Sequence, residues 1–87
     1  MGEAGSYQPV FSTEAAEFIM RLGRRQRREA MDSAYQLAAD PFLRSDYTIA
    51  DADGRLAEHI RCAGFVFVYW VDHAVRLVMI TEIEMDD

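Results

Sequence analysis

RLAEHIRCAGFVFVYWVDHAVRLVMITEIE, residues Arg55–Glu84, holds three β-prone runs separated by short turn signals. Valine, isoleucine, phenylalanine, tyrosine and tryptophan dominate it, and such side chains suit a pleated, half-buried surface. Gly64 marks the first turn and Asp72-His73-Ala74 the second. The spacing predicts strands at about 55–62, 65–71 and 75–84. Connections this short allow only antiparallel neighbours, so the stretch reads as a meander.

Side chains alternate along a strand, so each run has two faces. One side of the predicted sheet gathers Leu56, Ile60, Phe65, Phe67, Tyr69, Leu77, Met79 and Ile83. The other gathers Val66, Val68, Trp70, Val78 and Ile80, ringed by Arg55, His59, Arg61, Arg76, Glu82 and Glu84. A slip of one residue would exchange the two sets.

Upstream, YQPVF (residues 7–11) reads as a short strand. Pro9 cannot donate a ladder hydrogen bond, which confines that strand to an edge or a strand start. Ser12 or Thr13 then caps a helix whose apolar face is Ala15, Phe18, Ile19 and Leu22, with Gly23 as its stop. A second helix is predicted from about Arg25 to Ala39, its face formed by Met31, Ala34, Tyr35 and Ala38, and Pro41 ends it. Residues 41–54 read as loop, with Asp53-Gly54 as a turn. The predicted order is β-α-α-β-β-β: an α+β fold with a helical hairpin on one face of a small, mostly antiparallel sheet. One side of the sheet then has nothing to cover it. Its apolar centre (Val66, Val68, Trp70, Val78, Ile80, with Arg76 at the border) is expected to meet a partner, either a second copy or another protein.

Eighty-seven residues support one core. The expected organisation is a flexible N-terminus at 1–6, one domain at 7–84 and an acidic tail at 85–87. The only cysteine is Cys62, which excludes an intrachain disulfide; no metal-ligand spacing surrounds it, and a buried structural thiol is expected. No cofactor is expected. The N-terminal segment lacks the pattern of a secretory signal, and the apolar run Gly64–Val71 is too short to span a bilayer, so a cytoplasmic protein without membrane contact is expected. The net charge is −6, yet residues 21–28 (RLGRRQRR) hold five of the nine arginines, and there is no lysine. Overall acidity disfavours a general nucleic-acid binder, while a local arginine patch remains.

Three segments carry a family resemblance: VFSTEAAEFIMRLG (10–23), the helix end ADPFL (39–43), and GRLAEHIRCAGFVFVYWVDHAVRLVMI (54–80). In these the chain resembles the RelE/ParE toxin superfamily of bacterial toxin–antitoxin and plasmid stabilisation systems. The resemblance implies a strand, a helical hairpin and an antiparallel meander, with an antitoxin peptide as partner. It also implies one of two activities. RelE-like members cut messenger RNA in the ribosomal decoding site with basic residues on the open sheet face. ParE-like members act on DNA gyrase through protein contact.

His59 and Arg61 stand near the first basic group of the RelE-like pattern. The arginine expected after Gly64-Phe65 is Val66, and the end of the last strand carries Glu82, Glu84, Asp86 and Asp87 in place of cations. Carboxylates there repel a phosphate. Arg55, His59 and Arg61 are nonetheless the one constellation suited to acid–base work on RNA: an imidazole to move a proton and guanidiniums to hold a phosphate. The sequence therefore points first to a toxin-family protein that works mainly through protein contacts and has lost catalytic groups. The alternatives are a ribosome-dependent endoribonuclease using Arg55, His59 and Arg61, and a non-toxic protein that binds antitoxin or pairs with itself as a dimer.

Overall fold

A computed structural model describes residues 6–40, 45–50, 53, 54 and 56–86. The chain order is β1 (Gln8–Phe11), α1 (Thr13–Arg21), α2 (Arg24–Ala39), β2 (Tyr47–Ala50), β3 (Leu56–Cys62), β4 (Phe65–Asp72) and β5 (Leu77–Met85).

Helix α1 begins because the Ser12 hydroxyl accepts the Ala15 N–H at 3.0 Å, satisfying one of the orphan donors of the first turn. Its buried stripe is Ala15 and Ile19, with Phe18 and Leu22 packed beside them. Helix α2 has Gly23 at its N-cap and no side-chain cap there. Instead the Arg27 guanidinium reaches back to the carbonyls of Leu22 (3.2 Å) and Met20 (3.5 Å) at the end of α1, tying the helices together. The buried stripe of α2 is Ala30, Ser33, Ala34, Leu37 and Ala38. Tyr35, expected on this face, is 54% exposed. Ala30 and Leu37 set the true phase, and a stripe rich in alanine gives weak periodicity next to a tyrosine and a methionine. The expected stop at Pro41 lies outside the described residues.

The five strands lie in the order β1-β5-β4-β3-β2. Strand β1 runs parallel to β5 at one edge, and the helical hairpin supplies the crossover that a parallel pair needs. All other pairs are antiparallel. Between β3 and β4, Ala63 and Gly64 both have positive φ (57° and 86°) and Cys62 pairs with Phe65. That is a two-residue hairpin turn whose twist matches the strands, and glycine takes the second position without strain.

Two features depart from the sequence reading. The first is β2, inside the segment expected to be loop. Tyr47, Thr48 and Ile49 are good strand formers, but a run of four residues is too short to stand out. Asp46 holds the strand start in place: its N–H donates to the His59 carbonyl (2.8 Å), and its carboxylate accepts the Arg61 N–H (2.7 Å). The second is a β-bulge in β5. Tyr69 pairs with Ile80 but Val68 pairs with Glu82, leaving Thr81 without an opposite residue. The Thr81 hydroxyl donates to the Val68 carbonyl (3.2 Å), and the Thr81 carbonyl accepts the Ser12 hydroxyl (2.7 Å). The same serine therefore caps α1 and pins the bulge.

The bulge reverses the alternation of β5 partway along. Before it, Val78 and Ile80 face the helices; after it, Ile83 does. Val78 and Ile80, expected on the open side, are thus 0% and 1% exposed beneath the helical hairpin. Leu77 and Met79, expected under the helices, take their place on the open side. Arg76, expected in the strand, sits one residue before it in the turn, exposed and with φ of 57°. The helix-side core is Phe65, Phe67, Tyr69, Val78, Ile80 and Ile83 against the stripes of α1 and α2. Burial of each large side chain there contributes about 1.5–3 kcal/mol.

Candidate functional site

The open side of the sheet is built from rows of paired residues. Val10, Met79 and Trp70 stand side by side across β1, β5 and β4. Further along, His59, Val68 and Glu82 form one row across β3, β4 and β5, and Arg61, Val66 and Glu84 form the next. Tyr47 of β2 pairs with His59 and extends the first of these rows to the edge.

An apolar centre therefore exists, but its membership differs from the expected set. Val66, Val68 and Trp70 belong to it; Leu77 and Met79 replace Val78 and Ile80. Val66 and Val68 are only 8% and 7% exposed although no helix covers them. In their rows they are flanked by longer residues, His59 and Glu82 beside Val68, and Arg61 and Glu84 beside Val66, a placement from which side-chain stems can shield them laterally. Trp70 remains half-buried.

At the β2–β3 end the polar groups gather. The rings of Tyr47 and His59 stack with centroids 4.6 Å apart and 23° between planes. The Arg61 guanidinium carbon lies 5.8 Å from the Tyr47 ring centroid, within reach of a cation–π contact. Arg61 also approaches the Asp86 carboxylate, Nε to Oδ1, at 3.7 Å. The His59 Nδ1 lies 3.3 Å from the Ala57 carbonyl, which can only accept, so Nδ1 carries the proton and Nε2 is the basic nitrogen of the neutral ring. Arg55, the third expected catalytic residue, lies outside the described residues.

Opposite this group stand carboxylates. Burial raises the pKa of Glu82 above the usual range, a hydrogen bond and charge from Glu84 and the charge of Glu14 raise it further, and His59 lowers it. Glu82 and Glu84 place negative potential on β5, across β4 from His59 and Arg61. One imidazole, one guanidinium and one phenol on β2 and β3 thus face acids on β5, with β4 between them. Such an array suits salt bridges and hydrogen bonds to a polypeptide better than the dianionic, phosphorane-like transition state of RNA cleavage.

Tyr47 was not singled out from the sequence. Its signal lies only in β2, which the loop reading obscured. His73, in the turn between β4 and β5, is exposed, and its Nδ1 meets the Tyr7 hydroxyl at 2.8 Å. Cys62 is half-buried and lines an apolar groove of about 90 Å³ between α2 and β3, with Ser33, Gln36, Leu37, Ile60 and Phe67. Among the described residues no three histidine, cysteine or acidic side chains gather to hold a metal ion, and no helix is long and apolar enough to cross a membrane.

No family model matches this chain, and no curated protein matches it in sequence. Solved structures do. The RelBE2 toxin–antitoxin complex of Mycobacterium tuberculosis contains a chain that matches with a TM-score of 0.75 at 20% identity, covering 92% of this chain and 98% of that one. The archaeal RelE–RelB complex of Pyrococcus horikoshii matches at 0.70 and 12% identity over 93% and 96% of the two chains. The intact Escherichia coli RelBE toxin–antitoxin complex matches at 0.70 and 18% identity over 93% and 98%. With nearly every residue of both partners superimposed, this chain has the fold of the RelE toxins in those complexes.

Proposed function

We propose that this chain is the toxin component of a toxin–antitoxin pair, working in the cytoplasm and acting through protein contacts rather than by cutting RNA. The observation that carries the reading is the open side of a RelE-like sheet: a half-shielded apolar row of Val10, Met79 and Trp70 beside two rows in which Glu82 and Glu84 stand across β4 from His59 and Arg61. The similar structures are toxin–antitoxin complexes, which supports an antitoxin as the first partner. An extended antitoxin segment suits the exposed edge strand β2, whose outer backbone groups can take another strand. Self-pairing through the same edge and DNA gyrase as a target are the other protein contacts of this type.

Co-expression with the product of the adjacent reading frame tests this. The pair should co-purify, and Trp70→Ala or Ile49→Asp should weaken it at least tenfold, the size expected for loss of an interface anchor of about 1.4 kcal/mol or more. Co-purification unchanged by both variants would remove the open side and β2 from the contact.

A second reading is a ribosome-dependent endoribonuclease using Arg55, His59 and Arg61. Tyr47 stacked on His59 beneath Arg61 supports it, since phenol, imidazole and guanidinium together can orient a base and neutralise a phosphate. Induced expression should then leave cleaved messages, and alanine at all three positions should abolish them.

A further inference from the structure

The helical hairpin carries a second surface far from neutrality. Arg21 ends α1, and Arg24, Arg25 and Arg28 fall in the first turns of α2, all exposed. Arg24 and Arg28 stand one helical turn apart with Arg25 beside them, so they form one stripe. Arg27, by contrast, is engaged with the carbonyls ending α1. None of the other four takes part in an ion pair or hydrogen bond among the described residues. Two of them also sit in the opening turn of α2, which contains no acid, at the end of the helix where the backbone dipole disfavours cations. Glu17, Glu29 and Asp32 stand one turn from Arg21, Arg25 and Arg28 but close no ion pair with them among the described residues, so the four guanidiniums remain open to a partner on an otherwise acidic protein.

Two observations select the kind of partner. Outside residues 21–28 the chain has four arginines against fifteen acids, so a nucleic-acid strand extending past the patch would run onto negative surface. The exposed large apolar residue beside the patch is Met20 (73% exposed), and residues 20–28 contain no aromatic ring on which a base could stack. A methionine among guanidiniums fits a polypeptide with carboxylates and an aliphatic side chain. We propose that Arg21, Arg24, Arg25 and Arg28, with Met20, form a docking surface for an acidic, leucine-bearing segment of a partner protein. This deepens the protein-contact reading by adding a site on the helical side, separate from the open side and from β2.

Fluorescence anisotropy of the purified full chain tests it, with a short labelled glutamate–leucine peptide and a short labelled oligouridine as probes. The peptide should bind, more weakly as salt rises from about 50 to 200 mM. The variant Arg24→Gln/Arg25→Gln/Arg28→Gln should lose about tenfold in peptide affinity, while its melting temperature stays equal or rises as cations leave the helix start. The corresponding triple lysine variant, which keeps the charge, should bind within a few fold of the parent. Three results would overturn the proposal: equal peptide affinity with and without the arginines, tighter binding of oligouridine than of peptide, or sedimentation showing that the arginines hold a second copy of the chain. Because the probes are synthetic and the variants avoid Trp70 and Ile49, failure here leaves the co-purification test of the open side untouched.

Discussion

The two sides of one sheet are shielded by different means. On the helix side, Tyr69, Phe65, Phe67, Ile80 and Val78 are sealed by a second layer of structure and are less than 2–3% exposed. On the open side, Val66 and Val68 come almost as low, at 8% and 7%, with no second layer among the described residues. There the shielding fits lateral cover, because long polar residues stand beside short apolar ones in the same rows. The difference is one of rigidity. A core under helices cannot relax when a side chain is removed, whereas a valine covered by the stems of arginine and glutamate can be re-covered by small movements. It also bears on function, because lateral cover can be displaced by a partner and a helical layer cannot without partial unfolding.

The largest expected effect sharpens that contrast. Ile80→Ala should cost about 2–5 kcal/mol, and Val68→Ala only about 1 kcal/mol, in urea or guanidinium denaturation. Equal losses at the two sites would break the distinction between sealed and lateral cover.

The next concerns the residue that joins the two sides. Ser12 caps α1 and holds the bulge that sends Val78 and Ile80 inward. Ser12→Ala should cost about 2 kcal/mol, the upper end for a helix cap, since it also frees the Thr81 carbonyl. A loss no greater than that of an exposed surface residue would show that the bulge does not depend on this serine.

A pH prediction follows from the helix side. Burial first, and then the charges of Glu58, Asp46 and Asp40, push the Tyr69 hydroxyl from 10.0 up to about 12. Between those values the folded protein keeps a proton that the unfolded chain has lost. The stability this contributes is complete below pH 10 and is lost as pH rises towards 12. The loss should be about 1–2 kcal/mol after solvent screening around the carboxylates, and Tyr69→Phe should flatten it. Parent and variant falling in parallel would count against the assignment.

The smallest effect belongs to the open side. Glu82 is held protonated above the usual carboxylate range, so its charge is a burden at neutral pH that disappears as pH falls below the ordinary carboxylate value. Glu82→Gln should stabilise by a few tenths of a kcal/mol at neutral pH and by nothing in acid. Destabilisation at neutral pH would mean that Glu82 serves the fold as an ion.

How much of this was legible in the sequence follows the strength of each local signal. The meander was plain because three long β-rich runs with a glycine turn admit few other readings. Helix α1 was plain because Ser12, Ala15, Phe18, Ile19 and Leu22 agree on cap and period. The bulge was hidden: Leu77, Val78, Met79 and Ile80 are all apolar, so either alternation fits, and the choice depends on Thr81 meeting Val68 and Ser12 across sequence separations of 13 and 69. Strand β2 was hidden because its stability comes from pairing with β3 and from Asp46, not from its own four residues. Of the candidate site, His59, Arg61, Val66, Val68 and Trp70 lie on the side expected, Tyr47 was missed with its strand, and Val78 and Ile80 were lost to the bulge.

Message integrity after induced expression is the most direct measure of whether the open side works by contact or by chemistry. Cells expressing the parent chain and the His59→Ala/Arg61→Ala variant should show the same growth response and the same uncut messages when 5′ ends are mapped. Messages cleaved by the parent and left whole by the variant would contradict the account.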